Sequence, residues 1–270
     1  MSVVHISYFT DPACPWSWAL EPALRKLQTD YAGSVDITYV MSGMAREFGD
    51  PGALASESLS AAQQSGMPVD ARLWLEGAPR SSYPACMGVK AAAEQGDPGP
   101  YLRRLREGFM CRRRKLDTTA ALVDEARVVA ALDAERFGID LGSHAILEAF
   151  GADLDRAAAV PDARYAPGEK RPPLPSLEFR GEDGSFQAAY APEGYAPLAA
   201  AALAVGAEPD RSAPPAIEAA LSRFGTMATA EIAAVCDLPG PRAPAELWRL
   251  ALDWRVRPER LGSGELWSTA

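Results

Sequence analysis

A strand that runs into a helix through a proline-rich turn constrains this chain more than any other feature. Val3 to Phe9 is a β-rich run, and Thr10-Asp11-Pro12-Ala13-Cys14-Pro15 stops it, because proline has no backbone N–H to give a sheet. Pro15 suits the first position of a helix, and Leu20, Leu24 and Leu27 follow at helical spacing, which predicts one helix over Pro15–Tyr31. "SVDITYVMSG" alternates Val35, Ile37, Tyr39 and Met41 and reads as a second strand. Strand, helix and strand in succession make a βαβ unit, whose right-handed crossover sets the two strands parallel.

From about Met44 to Asp162 the sequence is helical and alanine-rich. "PACMGVKAAAEQ", "GPYLRRLREGFMCRR", "TTAALVDEARVVAAL" and "GSHAILEAFGADLDRAA" each read as one helix. "PPLPSLEFRGEDGSFQAAY" follows as a strand–turn–strand hairpin around Glu182-Asp183-Gly184, and "EGYAPLAAAALAVG" as a final helix. The order βαβ, helical block, ββα predicts an α/β fold. Its thioredoxin-like sheet is interrupted by an all-helical insertion at about 44–162, the whole spanning residues 1–206. "AEPDRSAPP" reads as a linker. Residues 216–270 then offer three short helices and the hairpin "RPERLGSGELW", a small winged-helix-like unit with a helix-turn-helix around Leu238-Pro239-Gly240.

Composition excludes several function classes. A net charge of −9 on 270 residues argues against nucleic acid or an anionic membrane as partner, since both need a positive surface field. The candidate recognition helix "APAELWRLALDW" is mostly apolar and carries only Arg249, so a protein contact suits the C-terminal unit better than DNA. Two histidines, His5 and His144, and four widely spaced cysteines give no metal-ligand spacing and no disulfide framework. "MSVVHISYFTD" lacks a signal-peptide pattern and no apolar run reaches membrane-span length, so a cytoplasmic protein with reduced thiols is expected.

The chemistry centres on "DPACPWSW". A cysteine at the first turn of a helix faces unpaired N–H groups and the positive end of the helix dipole, which lower a thiol pKa. Ser17 can offer the sulfur a hydroxyl, and Trp16 and Trp18 can limit access or give a substrate an apolar platform. Ser17 stands where a resolving thiol would be needed, so Cys14 alone would hold a mixed disulfide until an outside thiol arrived. Cys86 is the candidate second thiol, although it shares a helical face with Val89 and Ala93 and reads as core. Cys111 and Cys236 read as structural. The basic run Arg103 to Lys115 reads as a solvated helix face, or as a surface for an acidic partner.

The strand leading into "DPACPWSW", the helical insertion, "YVMSGMA", "YPACMGVKAA" and "LPSLEF" together resemble the DsbA-like thioredoxin superfamily in its cytoplasmic branch. That branch includes FrnE-type oxidoreductases, hydroxychromene-carboxylate isomerases with kappa-class glutathione transferases, and adaptors that deliver the regulator Spx to a protease. The resemblance implies a cis-proline loop at Leu174, Pro175 and Ser176 beside Cys14. It implies that Cys14, Ser17 and Pro175 carry the chemistry, while Pro15, Trp16, Trp18, Leu174 and Ser176 contact substrate. It also implies a thiol or disulfide substrate and no tightly bound cofactor, with glutathione or an analogue as the small-molecule thiol. Three functions follow: single-cysteine thiol–disulfide exchange, a thiol-dependent isomerase or transferase, and a non-catalytic adaptor.

Overall fold

In the computed structural model, which describes residues 3–270 apart from the Asp162 side chain, β1 (Val4–Thr10) lies parallel to the second strand. The register runs from Val4 opposite Val35 to Thr10 opposite Met41. The connection holds two helices in place of the one expected. α1 (Pro15–Ala19) ends at Leu20 and α2 (Glu21–Asp30) begins afresh. Pro22 is the cause: it has no N–H for the Trp18 carbonyl, and its ring would crowd that group in a continuous helix. β2 (Val35–Met41) follows.

The insertion contains seven helices among the described residues: α3 (Pro51–Ser65), α4 (Arg72–Gly77), α5 (Tyr83–Ala93), α6 (Gly99–Met110), α7 (Thr119–Ala126), α8 (Ala134–Leu141) and α9 (His144–Ala158). The helix expected from Thr118 to Leu132 stops early. Asp133 caps a new one instead, accepting the N–H groups of Glu135 and Arg136.

β3 (Ser176–Arg180) pairs antiparallel with β1, and β4 (Phe186–Tyr190) with β3, giving the order β2-β1-β3-β4. On one face Ile6, Tyr8 and Phe179 pack against α2 and against α10 (Ala196–Ala204) through Leu24, Leu27 and Leu198. Phe9 and Val40 point the other way, toward Ala157 of α9 and toward Cys14. This alternation lets one short strand serve two cores.

The remainder comprises α11 (Ile217–Phe224), β5 (Met227–Ala228), α12 (Thr229–Val235), α13 (Arg242–Leu252), β6 (Val256–Leu261) and β7 (Gly264–Thr269). The three strands form a second sheet, β5-β7-β6. β5, only two residues long, escapes any sequence pattern. Ile232, Leu247, Leu250 and Trp267 form a core here, while Ala228 and Leu266 join the core of the insertion. The β6–β7 turn also docks on the insertion: Ser263 N–H donates to the Val69 carbonyl (3.1 Å), and Val69 N–H to Ser263 Oγ (3.0 Å). Gly262, with φ of +54°, lies so close to Val69 that a Cβ would strike its carbonyl.

The basic run is neither a solvated face nor a surface for an acidic partner at Arg103 and Arg106. Arg103 and Arg106 are buried in an ion network that joins α2, α6 and α12. Glu231 takes two N–H groups of Arg103 (2.7 and 2.9 Å) and pairs with Arg25 (2.9 Å). Arg103 also donates to Glu107 (2.9 Å) and Glu21 (3.2 Å), and Arg106 to Glu21. Thr226 Oγ1 donates to Glu107 (2.6 Å). Further along the run, Arg112 pairs with Glu259, and Arg114 with Glu125. No helix among the described residues is long and apolar enough to cross a membrane.

Candidate functional site

The turn between β1 and α1 is pinned by one carboxylate. Asp11 accepts the Ala13 N–H (2.8 Å), the Met44 N–H (2.6 Å) and the Ser82 hydroxyl (2.7 Å), so it ties the turn to the insertion. Cys14 is then the N-cap of α1, and its sulfur accepts the Ser17 N–H at 3.4 Å. Across from it the Leu174–Pro175 peptide is cis, as the resemblance implied. The Cys14 thiol donates to the Leu174 carbonyl at 3.7 Å.

The expected activation of Cys14 is reversed. Burial pushes its thiol up, and the hydrogen bonds from the Ser17 hydroxyl and N–H pull down without winning. The negative charges of Asp11 and Glu57 push the same way as burial. A cysteine only 2% exposed loses the hydration of its sulfur, and a five-residue helix aligns few peptide dipoles to replace it.

Trp16 is half-buried, packs against the cluster that holds Cys14, and donates its Nε1–H to Glu57 of α3 (2.9 Å). Its ring forms one wall of a groove of ≈ 600 Å³, with Leu20, Leu174, Pro175 and Tyr195 around it and Ala234 of α12 on the rim. The groove therefore adjoins the cysteine and draws on residues from both sheets' surroundings.

Of the site residues expected from sequence, the fold gathers Cys14, Ser17, Trp16, Leu174 and Pro175. Three others expected to contact substrate are turned inward. Trp18 is fully buried, donates Nε1–H to the Pro68 carbonyl (2.9 Å) and lies under the Arg103 guanidinium (4.4 Å). Ser176 is buried and donates to the Pro173 carbonyl (2.6 Å), and Pro15 is buried as the first residue of α1. Cys86 donates to Asp11 (3.2 Å) and is buried, and burial together with that carboxylate pushes its thiol well up. All four cysteines are free. Asp11, Thr10 and Glu57 were missed; the Asp-Pro step after the strand was the one available signal, and it pointed only to a turn.

A parallel–antiparallel four-stranded sheet, a helix-capping cysteine and a facing cis-proline define a DsbA-like thioredoxin protein. The thioredoxin family's sequence model matches residues 8–161, more than half of the chain, and the chain belongs to that family. It is similar to the ClpXP adapter protein SpxH of Halalkalibacterium halodurans, 28% identical over 281 aligned positions that cover 98% of this chain and 88% of the relative. The protein of that name from Bacillus subtilis is 28% identical, with 98% and 89% covered. Among solved structures, the cytosolic disulfide reductase DsbM from Pseudomonas aeruginosa superposes with a TM-score of 0.55 at 19% identity, covering 68% of this chain and 88% of that one. That likeness is one of fold.

Proposed function

We propose that this chain is a cytoplasmic, non-catalytic DsbA-like adaptor that presents a client protein to a ClpXP-type protease. The likeness to the SpxH adapters carries this reading, because it runs over 98% of the chain and so through the C-terminal residues as well. The site supports it: the Cys14 sulfur is buried, and Ser17 stands in place of a second thiol. The C-terminal residues also offer a surface for a protein. Trp248 is half-exposed, and Leu252 and Trp254 are 80% and 87% exposed. Helix, strand, two helices and a hairpin around a β5-β7-β6 sheet support a winged-helix-like reading of residues 216–270. Its Arg249 is engaged by Glu246 (2.7 Å) and Asp253 (3.0 Å).

A second reading keeps thiol chemistry: Cys14 captures a thiol or disulfide partner, glutathione-like or protein, in the groove beside Leu174 and Pro175. The ≈ 600 Å³ apolar groove favours it. One experiment separates the two. ClpXP should degrade an Spx-type substrate faster when the chain is present, and to the same extent with Cys14→Ala, while neither protein reduces insulin disulfides. Insulin reduction that disappears in Cys14→Ala, with no effect on degradation, would overturn the adaptor reading.

A further inference from the structure

The first sheet ends on a strand that carries no guard against a further strand. β4 is the last member of the order β2-β1-β3-β4, so β3 satisfies only one of its two edges. Both ends of the β3–β4 pair show which way its backbone groups point. Gly181 N–H donates to the Ser185 carbonyl (2.9 Å), and Ala191 N–H to the Pro175 carbonyl (3.0 Å). These two pairs continue the register of the strands, and antiparallel pairs alternate between bonded and unbonded. Odd-numbered residues of β4 therefore bond β3, while Phe186, Ala188 and Tyr190 turn their N–H and C=O groups outward. Among the described residues, no second backbone segment bonds those groups. Free edges ordinarily carry a charge, a proline or a bulge that stops further pairing. β2, the opposite edge, exposes Asp36, and β6 exposes Arg257, Pro258, Glu259 and Arg260. β4 reads Phe-Gln-Ala-Ala-Tyr and has none of these.

Charge decides what the edge can take. Exposed carboxylates mark both ends of β4: Glu182 and Asp183 in the turn before it, and Glu193 in the loop after it. The nearby cations, Arg180 and Arg164, lie over the Phe186 and Tyr190 rings (5.3 and 5.4 Å), on the face of the sheet and not along its edge. Glu178 stands on that face too and accepts the Tyr190 hydroxyl (3.1 Å). We propose that β4 is a docking edge for an extended segment of another protein, uncharged over about five residues and flanked by Lys or Arg. The segment adds as a fifth strand whose backbone meets Phe186, Ala188 and Tyr190, and its β-branched side chains pack beside the two rings. A second copy of this chain fits less well. Self-pairing centred on Ala188 brings the acidic turn of one copy toward the other copy's Glu193, between chains of net charge −9. The inference goes beyond the adaptor reading and does not rest on it, since the edge is read from the backbone of one sheet.

The probe is the capped peptide Lys-Lys-Val-Thr-Val-Thr-Val-Lys-Lys, added to the full-length protein while amide hydrogen exchange is followed residue by residue by NMR. At saturation the Phe186, Ala188 and Tyr190 amides should exchange slower by about tenfold or more, while Gln187 and Ala189, already bonded to β3, change little. The same peptide with glutamate in place of every lysine should bind about tenfold more weakly or worse. Ala188→Pro removes one outward N–H and leaves the β3 ladder intact, so it should also weaken binding by about tenfold at an unchanged urea midpoint. The peptide comparison uses the native protein and stands whether or not that variant folds. Three results would overturn the proposal: protection that misses the three outward amides, a glutamate peptide that binds as well, or full affinity in folded Ala188→Pro. A fourth is slow exchange of those amides without peptide, together with a doubled mass in light scattering, which would give the edge to a second copy.

Discussion

Replacing Glu231 with alanine is expected to cost about 3–5 kcal/mol of stability, the loss typical when one partner of a buried ion pair is removed. Glu231 has no exposed surface, and its carboxylate meets Arg103 twice, Arg25 once and the Ala228 N–H at 2.6 Å. At the centre of the network, Arg25, Arg103 and Arg106 face Glu21, Glu107 and Glu231, so the charges balance. Without Glu231 the arginines keep one uncompensated positive charge away from water. Glu231→Gln retains the volume and part of the hydrogen bonding, and should fall between the native protein and the alanine variant. Urea denaturation followed by tryptophan fluorescence measures both, with Trp267 reporting on the C-terminal core. A loss below about 1 kcal/mol, the range of solvent-exposed pairs, would show that water reaches the network and that it does not hold α12 to α2 and α6.

The parts of this molecule that sequence made legible are those set by local rules. The period of Val35 to Met41, the stop at Pro12 and Pro15, and the alanine-rich helices follow from neighbours a few residues apart. The placement of Leu174 and Pro175 came through the likeness of short motifs. What stayed hidden depends on residues far apart in the chain. Arg103 and Arg106 look like any charged helix face, because the glutamates that bury them are at positions 21 and 231. The Cys14 thiol shows the same limit. Its helix start was readable and suggested a lowered pKa, but the cover that raises it comes from Leu174, 160 residues on, and from the wall around Trp16 and Glu57. Pro22 marks the opposite case: its effect on the helix was local and could have been read.

The same network predicts an acid-sensitive fold with a definite pH window. Burial by itself would push Glu21 up, but Arg106, Arg103 and Arg25 together outweigh it and hold the carboxyl at about 2, against an ordinary 4.5. A depressed folded-state pKa means that the unfolded chain takes up the proton first as pH falls. The stabilisation is therefore complete above about pH 4.5 and is lost between there and about 2; for Glu21 alone it is on the order of 3 kcal/mol. Glu107, raised by burial but lowered further by Arg103 and the Thr226 hydroxyl, adds a loss of the same sign. Urea midpoints should stay flat from neutral pH down to about 5 and then fall steeply. Glu21→Gln should start less stable at neutral pH, since it leaves an arginine unpaired, and should then decline less steeply in acid. Carboxylates outside the network, such as Asp70, titrate alike in both proteins, so the difference between the two profiles reports Glu21 together with the network carboxylates that share its arginines. Parallel profiles would mean that Glu21 takes its proton no later in the folded protein than in the unfolded chain, and the acid sensitivity would then have to come from groups other than Glu21.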